Sequence, residues 1–410
     1  MKRNTLYQQK LHVMRDKQEQ IRELISLEMK SAALKLIQGI FSEEVKALCG
    51  RSFSRKLGGA LCHRGGSDPG SVKLNGQRLK VKKPRVKRKG KDVQLDSYQA
   101  FQEFDLLNKR VMDHMLRGVS TRDYEPLLNS LQGGLGLKKS TVSKAFMRGS
   151  KQALEDINGK DLSKQNWFCV MIDGIEFKQK HVIVAMGIDV NGRKHILGLR
   201  EGSSEHHELC KDLLQSLIDR NLPQEADILF VLDGSKALRK AVNLVFGEVH
   251  VQRCIRHKER NILAYLPDIH HGELRRKWKM IHGLESFKQA EHEMKKLRMW
   301  LSSINQQAVN SLDEANNETL TVIKLQAPAL LRKTLLSTNP IESMFDKVRY
   351  MTNRVKNWKS NTNMPSRWAA ASLQLSQKKF RRIKGYKEIK AFTYNMKNLN
   401  QNLQHSKKAA

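Results

Sequence analysis

Acidic residues are scarce in this chain: 41 Asp and Glu stand against 75 Lys and Arg in 410 residues, a formal net charge of +34. Such an excess repels itself in a compact state unless a polyanion is the partner. Nucleic acid is the foremost candidate, because neutralising phosphates releases their counterions. Long apolar runs are also missing. Nothing approaches the roughly 18 consecutive apolar residues of a membrane span, which leaves a basic membrane-surface protein as the weaker alternative. The opening Met-Lys-Arg-Asn-Thr leads into a charged helical pattern rather than an apolar signal-like segment. The five cysteines (Cys49, Cys62, Cys169, Cys210, Cys254) form no CxxC pair. That argues against a disulfide framework or a zinc finger and for a reducing, intracellular compartment. No internal repeat is visible, and the length suits two to four domains.

What is present is sharper. Trp-Phe-Cys-Val-Met-Ile runs into Asp173, Ile-Leu-Phe-Val-Leu runs into Asp233, and a glycine follows each acid. Runs of that length and β-rich content read as central strands, and α/β folds put their chemistry where such strands end. A third acid, Glu342, lies in Thr-Asn-Pro-Ile-Glu-Ser at the start of a helical pattern.

Residues 6 to about 48 show helical periodicity, and the glycines between 50 and 70 read as a loop or linker. From Lys73 to Lys91 there are ten basic residues and no acidic one. Leu79 and Val81 alternate with Lys80 and Lys82, which predicts a basic-faced strand, with Val86 on a second. Lys80, Lys82, Lys83, Arg85, Lys87 and Arg88 are the expected phosphate contacts, the plain alternative being a solvated basic linker. Ser120 and Asp123 have capping-box spacing, three glycines follow, and Lys139-Ser140-Thr141-Val142-Ser143-Lys144 opens a second helix. As a helix-turn-helix this would put Ser140, Thr141, Ser143 and Lys144 at base edges, although ordinary bundles hold such pairs too.

Strands are expected at Trp167–Ile172, His181–Val190, Arg193–Leu199, Asp227–Leu232 and Val249–Arg253, with an Asn191-Gly192 hairpin turn. Helices are expected at Glu205–Arg220 and Lys236–Val245, an order that matches a ribonuclease-H-like sheet. Residues 262 to 335 read as all-helical, and the tail from about 384 shows no clear core. The domain reading is 1–60 helical, 61–160 a DNA-binding region, 161–262 the first part of an α/β core, 263–336 a helical insertion, 337–383 a final core helix, and 384–410 a basic tail.

Phosphodiester chemistry suits paired Mg²⁺ ions held by a few carboxylates, and Asp173, Asp233 and Glu342 are the proposed set. Bland readings compete: Asp-Gly is a common turn, and with Asn339 as N-cap, Glu342 would be a capping-box glutamate. Cys254 and His257 make a CxxH pair, too few ligands for a zinc site and better suited to supporting a metal centre. Arg253, Arg256, Lys258 and Arg260 would face phosphates, or form a solvated helix face.

These motifs, in order, resemble those of Mutator-type transposases of bacterial insertion sequences: Ile172-Asp173-Gly174, Leu232-Asp233-Gly234-Ser235-Lys236-Ala237-Leu238, Val251 to Asn261 around Cys254 and His257, and Thr338 to Ser343. The resemblance runs from about residue 60 to 385. It implies a DDE transposase with a ribonuclease-H-like core interrupted by a helical insertion, and it puts the catalytic and metal-binding triad on Asp173, Asp233 and Glu342. It further implies two Mg²⁺ ions (Mn²⁺ as the substitute), double-stranded DNA as terminal inverted repeats and target, a homodimer or larger synaptic complex, and a cytoplasmic, nucleoid-associated protein. A non-catalytic regulator derived from a transposase, or a ribonuclease-H-like nuclease, are the alternative functions.

Overall fold

The computed structural model describes residues 31–50, 62–74, 77–103, 112–118, 139–178, 180–202, 207–224, 228–353, 355–359 and 362–397, with single positions at 20 and 28. The chain divides into two compact units, Met1–Gly149 and Ser150–Ala410. No described helix is long and apolar enough to cross a membrane.

In the first unit a helix over 31–49 (α1) covers a three-stranded antiparallel sheet, β1 (Cys62–Leu74), β2 (Gln77–Arg88) and β3 (Lys91–Val93), and α2 (Asp96–Glu103) follows. Leu79 and Val81 point into a core with Ile37, Phe41 and Val72, while Val86 joins Val45, Cys62 and Leu95. Lys80 and Lys82 alternate outward, as the period of two requires. Two expectations change here. Val86 belongs to the same strand as Leu79, and the later part of the glycine-rich stretch, from Cys62 on, is strand β1 rather than a linker, residues 51–61 lying outside the described ones. The glycines are accommodated by a register shift between Arg64 and Ser67, with Gly66 at φ 83°. Glu44 on α1 caps α2, accepting from the amides of Asp96 at 2.7 Å and Ser97 at 3.1 Å. Of the helix-turn-helix, the capping box and the glycine break lie outside the described residues; the second helix is α3 (Lys139–Asn158).

The second unit is built on a five-stranded mixed sheet of order β6-β5-β4-β7-β8. Its strands are β4 (Trp167–Phe177), β5 (Lys180–Asp189), β6 (Lys194–Gly202), β7 (Leu229–Leu232) and β8 (Val251–Arg253). β4 pairs antiparallel with β5 and parallel with β7, and β7 is parallel to β8. All seven residues from Trp167 to Asp173 are buried, because both faces of this central strand are covered. On one face lie α4 (His207–Asp219) and α5 (Lys236–Phe246), whose Leu213, Leu214, Leu217, Leu238 and Val242 pack on Val170, Ile172 and Phe230. After β8 come α6 (Ile255–Leu263), α7 (His271–Gly283), α8 (Phe287–Ser302), α9 (Gln306–Glu314), α10 (Thr321–Lys324) and α11 (Ala329–Leu335). Of these, α6 to α10 share a core of their own around Trp278, Ile281, Leu297, Leu301 and Val309. The chain then returns to the sheet through α12 (Asn339–Thr352) and α13 (Met364–Gln377).

The segment after 384 is not coreless. A last helix over 389–397 (α14) buries Ile389, Phe392 and Met396, and Phe392 meets Phe168 edge-on at 6.2 Å.

Candidate active site

Register decides where the acids sit. Ile172 pairs with Leu232 in the parallel ladder, so Asp173 and Asp233 are the next residues out on adjacent strands. β4 does not end at Asp173, as its Asp-Gly suggested. It continues to Phe177, paired with β5 through Asp173–Val184 and Phe177–Lys180, because the antiparallel neighbour is longer than the parallel one. Asp173 is therefore fixed within a strand, whereas Asp233 opens a loop.

The third acid comes from α12. Its N-cap is Thr338, not Asn339, and no side chain caps it. Glu342 thus stands one turn inside the helix, and its carboxylate is free of the capping role. It lies 3.4 Å from His257 Nε2 and 3.9 Å from the Arg260 guanidinium. Ligand atoms of Asp173, His257 and Glu342 all fall within 4.8 Å of one another.

Cys254 fastens these pieces together. Its amide donates to the Leu232 carbonyl at 2.7 Å. Its sulfur accepts from the Thr338 amide at 3.4 Å and the Thr338 hydroxyl at 3.5 Å. That hydroxyl also faces His257 Nδ1 at 3.5 Å. Thr338, read in the sequence only as part of its motif, is the residue that joins Cys254 and His257 to the start of α12.

Burial, and then the charge of Asp233, push the carboxyl of Asp173 up to about 6, against the pull of His257. Burial likewise raises Asp233, opposed by the Ser235 amide, His257 and Arg253. His257 rises to about 9, through its bond to Cys254 and the charges of Cys254, Asp173 and Glu342, in spite of burial. Burial pushes the Cys254 thiol up, but bonds from His257 and Thr338 outweigh it and leave the thiol below its usual value.

Arg253 and Lys258 do not face phosphates. Their side chains are only 3% and 2% exposed. Arg253 donates to the carbonyls of Asp233 at 3.1 Å and Ser235 at 3.3 Å, and pairs with Glu314 and Glu318. Lys258 donates to Glu314 at 2.5 Å and to the Ser311 carbonyl at 2.8 Å. The reason is acids from α9 and beyond, far downstream in the chain, that the local basic cluster could not announce. Arg256 is open to solvent, in an i,i+3 pair with Glu259 at 3.5 Å.

In the first unit, Lys80, Lys82 and Arg88 are exposed, and Lys83, Arg85 and Lys87 half-buried. Arg85 is held by Asp92 at 3.1 Å and Asp68 at 3.6 Å, and Lys83 lies over the Tyr98 ring at 4.8 Å. Ser140 and Thr141 fall in the first turn of α3 and their side chains lie outside the described ones; Ser143 is half-buried and Lys144 exposed.

In this basic chain parallel strands deliver two adjacent carboxylates, Asp173 and Asp233, and Glu342 comes from a distant helix to within ligand range of Asp173 and His257, a cluster that leaves out Asp233. Residues 2–371 match the family described as "Transposase, Mutator family", and the chain is a member of it. It is 30% identical over 248 residues to the transposase for insertion sequence element IS6120 of Mycolicibacterium smegmatis, a match covering 59% of this chain and 75% of that one. With the transposase for IS1201 of Lactobacillus helveticus it shares 27% over 252 residues, 59% of this chain and 66% of that one. With that for IS1081 of Mycobacterium tuberculosis it shares 24% over 356 residues, 81% and 83% of the two chains.

Proposed function

We propose that this chain is a DDE transposase that binds the terminal inverted repeats of its element and catalyses metal-dependent strand cleavage and strand transfer. The observation that carries the reading is the Ile172–Leu232 register, which sets Asp173 beside Asp233, together with Glu342 within ligand range of Asp173. The strand order β6-β5-β4-β7-β8, with β4, β7 and β8 parallel, supports a ribonuclease-H-like core. The helices α7 to α11 would then be its insertion.

The donor set fits a hard divalent ion. Carboxylate oxygens suit Mg²⁺ and Mn²⁺, and Asp173, raised by burial and by the charge of Asp233, is a place where a cation would be favoured. When bound, such ions would neutralise the reacting phosphate and polarise its oxygens. Asp173, Asp233 and Glu342 would hold them. His257, protonated near neutral pH, keeps its Nε2 proton toward Glu342. Arg260, 64% exposed beside Glu342, can meet a phosphate oxygen. Arg253 holds the backbone of the Asp233 loop. Water attacks phosphorus and the bond to the 3′ oxygen breaks, freeing a 3′-hydroxyl. That hydroxyl attacks phosphorus in target DNA, so one phosphodiester forms as another breaks and no external energy source is required. Positioning and charge do the work.

The first unit, with Lys80, Lys82 and Lys144 exposed, would hold DNA, in the cytoplasm at the nucleoid. Two ends to be joined call for at least a homodimer. The test is strand transfer of labelled element ends into a plasmid with Mg²⁺, beside Glu342→Gln. Joined product from the parent alone supports the reading. Cleavage without joining makes the chain a nuclease, and binding without either makes it a regulator.

A further inference from the structure

The family match ends at residue 371, and residues 378–397, beyond α13, form a structured, strongly basic element. Between residues 378 and 390 there are seven Lys and Arg and one acid, Glu388. All seven cations are exposed, while Ile383 and Ile389 are buried anchors. The Ile383 amide donates to the Gly192 carbonyl at 3.0 Å. At Gly192, φ is 74° and a Cβ would overlap that of Tyr386, so the β5–β6 turn and this segment are built against each other. Arg382 lies over the Tyr386 ring at 5.0 Å and Lys194 over Phe380 at 5.4 Å.

A solvated run of charge would spread out or interleave acids. Lys194 on the facing strand β6 adds a further cation beside Phe380, lowered by burial and then by the charge of Lys347. Two of the seven, Lys378 and Lys379, stand at the C-terminus of α13 and also answer the helix dipole. The other five have no such local purpose, and among the described residues none of the seven has a carboxylate partner.

The segment is a different place from the acid site. Trp167 pairs with Asp189 at the start of β4, the end beside the β5–β6 turn, and Asp173 is six residues further along, about 20 Å at strand rise.

We infer that the 378–390 segment, seated on the β5–β6 turn, is a second binding surface for duplex DNA, taking the phosphate backbone without reading sequence. It rests on the reading of the chain as a DNA enzyme, and it adds a contact the acids do not provide. Seven exposed cations on a segment anchored by Ile383 and Ile389 suit a backbone with one charge per about 1.7 Å of helix axis.

The experiment measures fluorescence anisotropy of a random-sequence 30-base-pair duplex with the full chain, in EDTA, across salt concentrations. The quadruple variant Lys378→Gln, Lys379→Gln, Arg381→Gln, Lys384→Gln is compared with the parent, and circular dichroism checks that both are folded. The slope of log K against log salt should fall by about 2 to 4, since each phosphate contact contributes about 0.9. Affinity at low salt should fall at least tenfold for any duplex sequence. An unchanged slope, or a loss confined to one DNA sequence, overturns the inference. Without metal the assay does not depend on cleavage, so a parent that binds duplex yet fails in strand transfer sinks the catalytic reading alone. Single-stranded RNA of equal charge is run alongside, and a larger loss of slope on RNA than on duplex DNA also overturns the proposal.

Discussion

The Thr338 amide donates to the sulfur of Cys254 at 3.4 Å, so the helix carrying Glu342 is tied to the residue that follows strand β8. The same cysteine donates its amide to Leu232, the neighbour of Asp233. One residue of the CxxH pair therefore sets the spacing between two acids without touching either.

Replacing that sulfur should show it. Cys254→Ala leaves the Thr338 amide without its acceptor in a buried place, at a cost of about 1–3 kcal/mol. Cys254→Ser restores an acceptor and should recover most of the loss. Urea unfolding of the three proteins measures the difference, and equal midpoints for Ala and Ser would refute the latch.

Asp173 should make the metal-free protein pH-sensitive in an unusual direction. Its folded value of about 6 lies above the ordinary 3.8. The folded state thus holds the proton more tightly, and stability from this group falls as pH rises from about 4 to 6. Above that a penalty of roughly 3 kcal/mol remains. His257, raised to about 9 from 6.5, acts in the same sense one window higher, its contribution being lost as pH climbs through 9. Asp173→Asn should therefore melt higher than the parent in EDTA at pH 7.5 and lose that advantage near pH 4. Mg²⁺ should raise the melting temperature of the parent and not of the variant.

Glu314 answers two buried cations, Arg253 and Lys258. Glu314→Gln leaves Lys258 with only the Ser311 carbonyl and Arg253 with Glu318 and two carbonyls, and removing one partner of a buried pair costs roughly 3–5 kcal/mol. Chemical denaturation should record a loss of that order, larger than for Glu285→Gln. Glu285 pairs with Arg332 at 3.3 Å but is 86% exposed.

At Gly192 any side chain meets Tyr386 and an unfavourable φ together. Gly192→Ala should cost about 1–3 kcal/mol. Limited proteolysis should then cut first after Lys384 or Lys387, sites protected in the parent.

The central strands could be read in advance because Phe168–Ile172 and Leu229–Leu232 are unbroken apolar runs, and burial on both faces leaves no other way to house them. Asp173 and Asp233 followed, since each ends its run. The extension of β4 beyond Asp173 was hidden, because it depends on the length of β5 rather than on Asp-Gly itself. β1 was hidden by its glycines, which the bulge absorbs. Ile389, Phe392 and Met396 have helical spacing that was present in the sequence, masked by the Lys and Asn around them. Nothing near Arg253 foretold its burial, because the acids that receive it, Glu314 and Glu318, are remote in the chain.

The two strand-borne acids are unequally held. Asp173 is clamped by a ladder that runs past it on the β5 side, whereas the Asp233 loop leans on Arg253, and Arg253 on Glu314 and Glu318. The helices between β8 and α12 are thus not free to drift as a passenger module. A graft that exchanged them for a foreign bundle would leave the anvil in place and loosen the hammer, unless the two glutamates travelled with it.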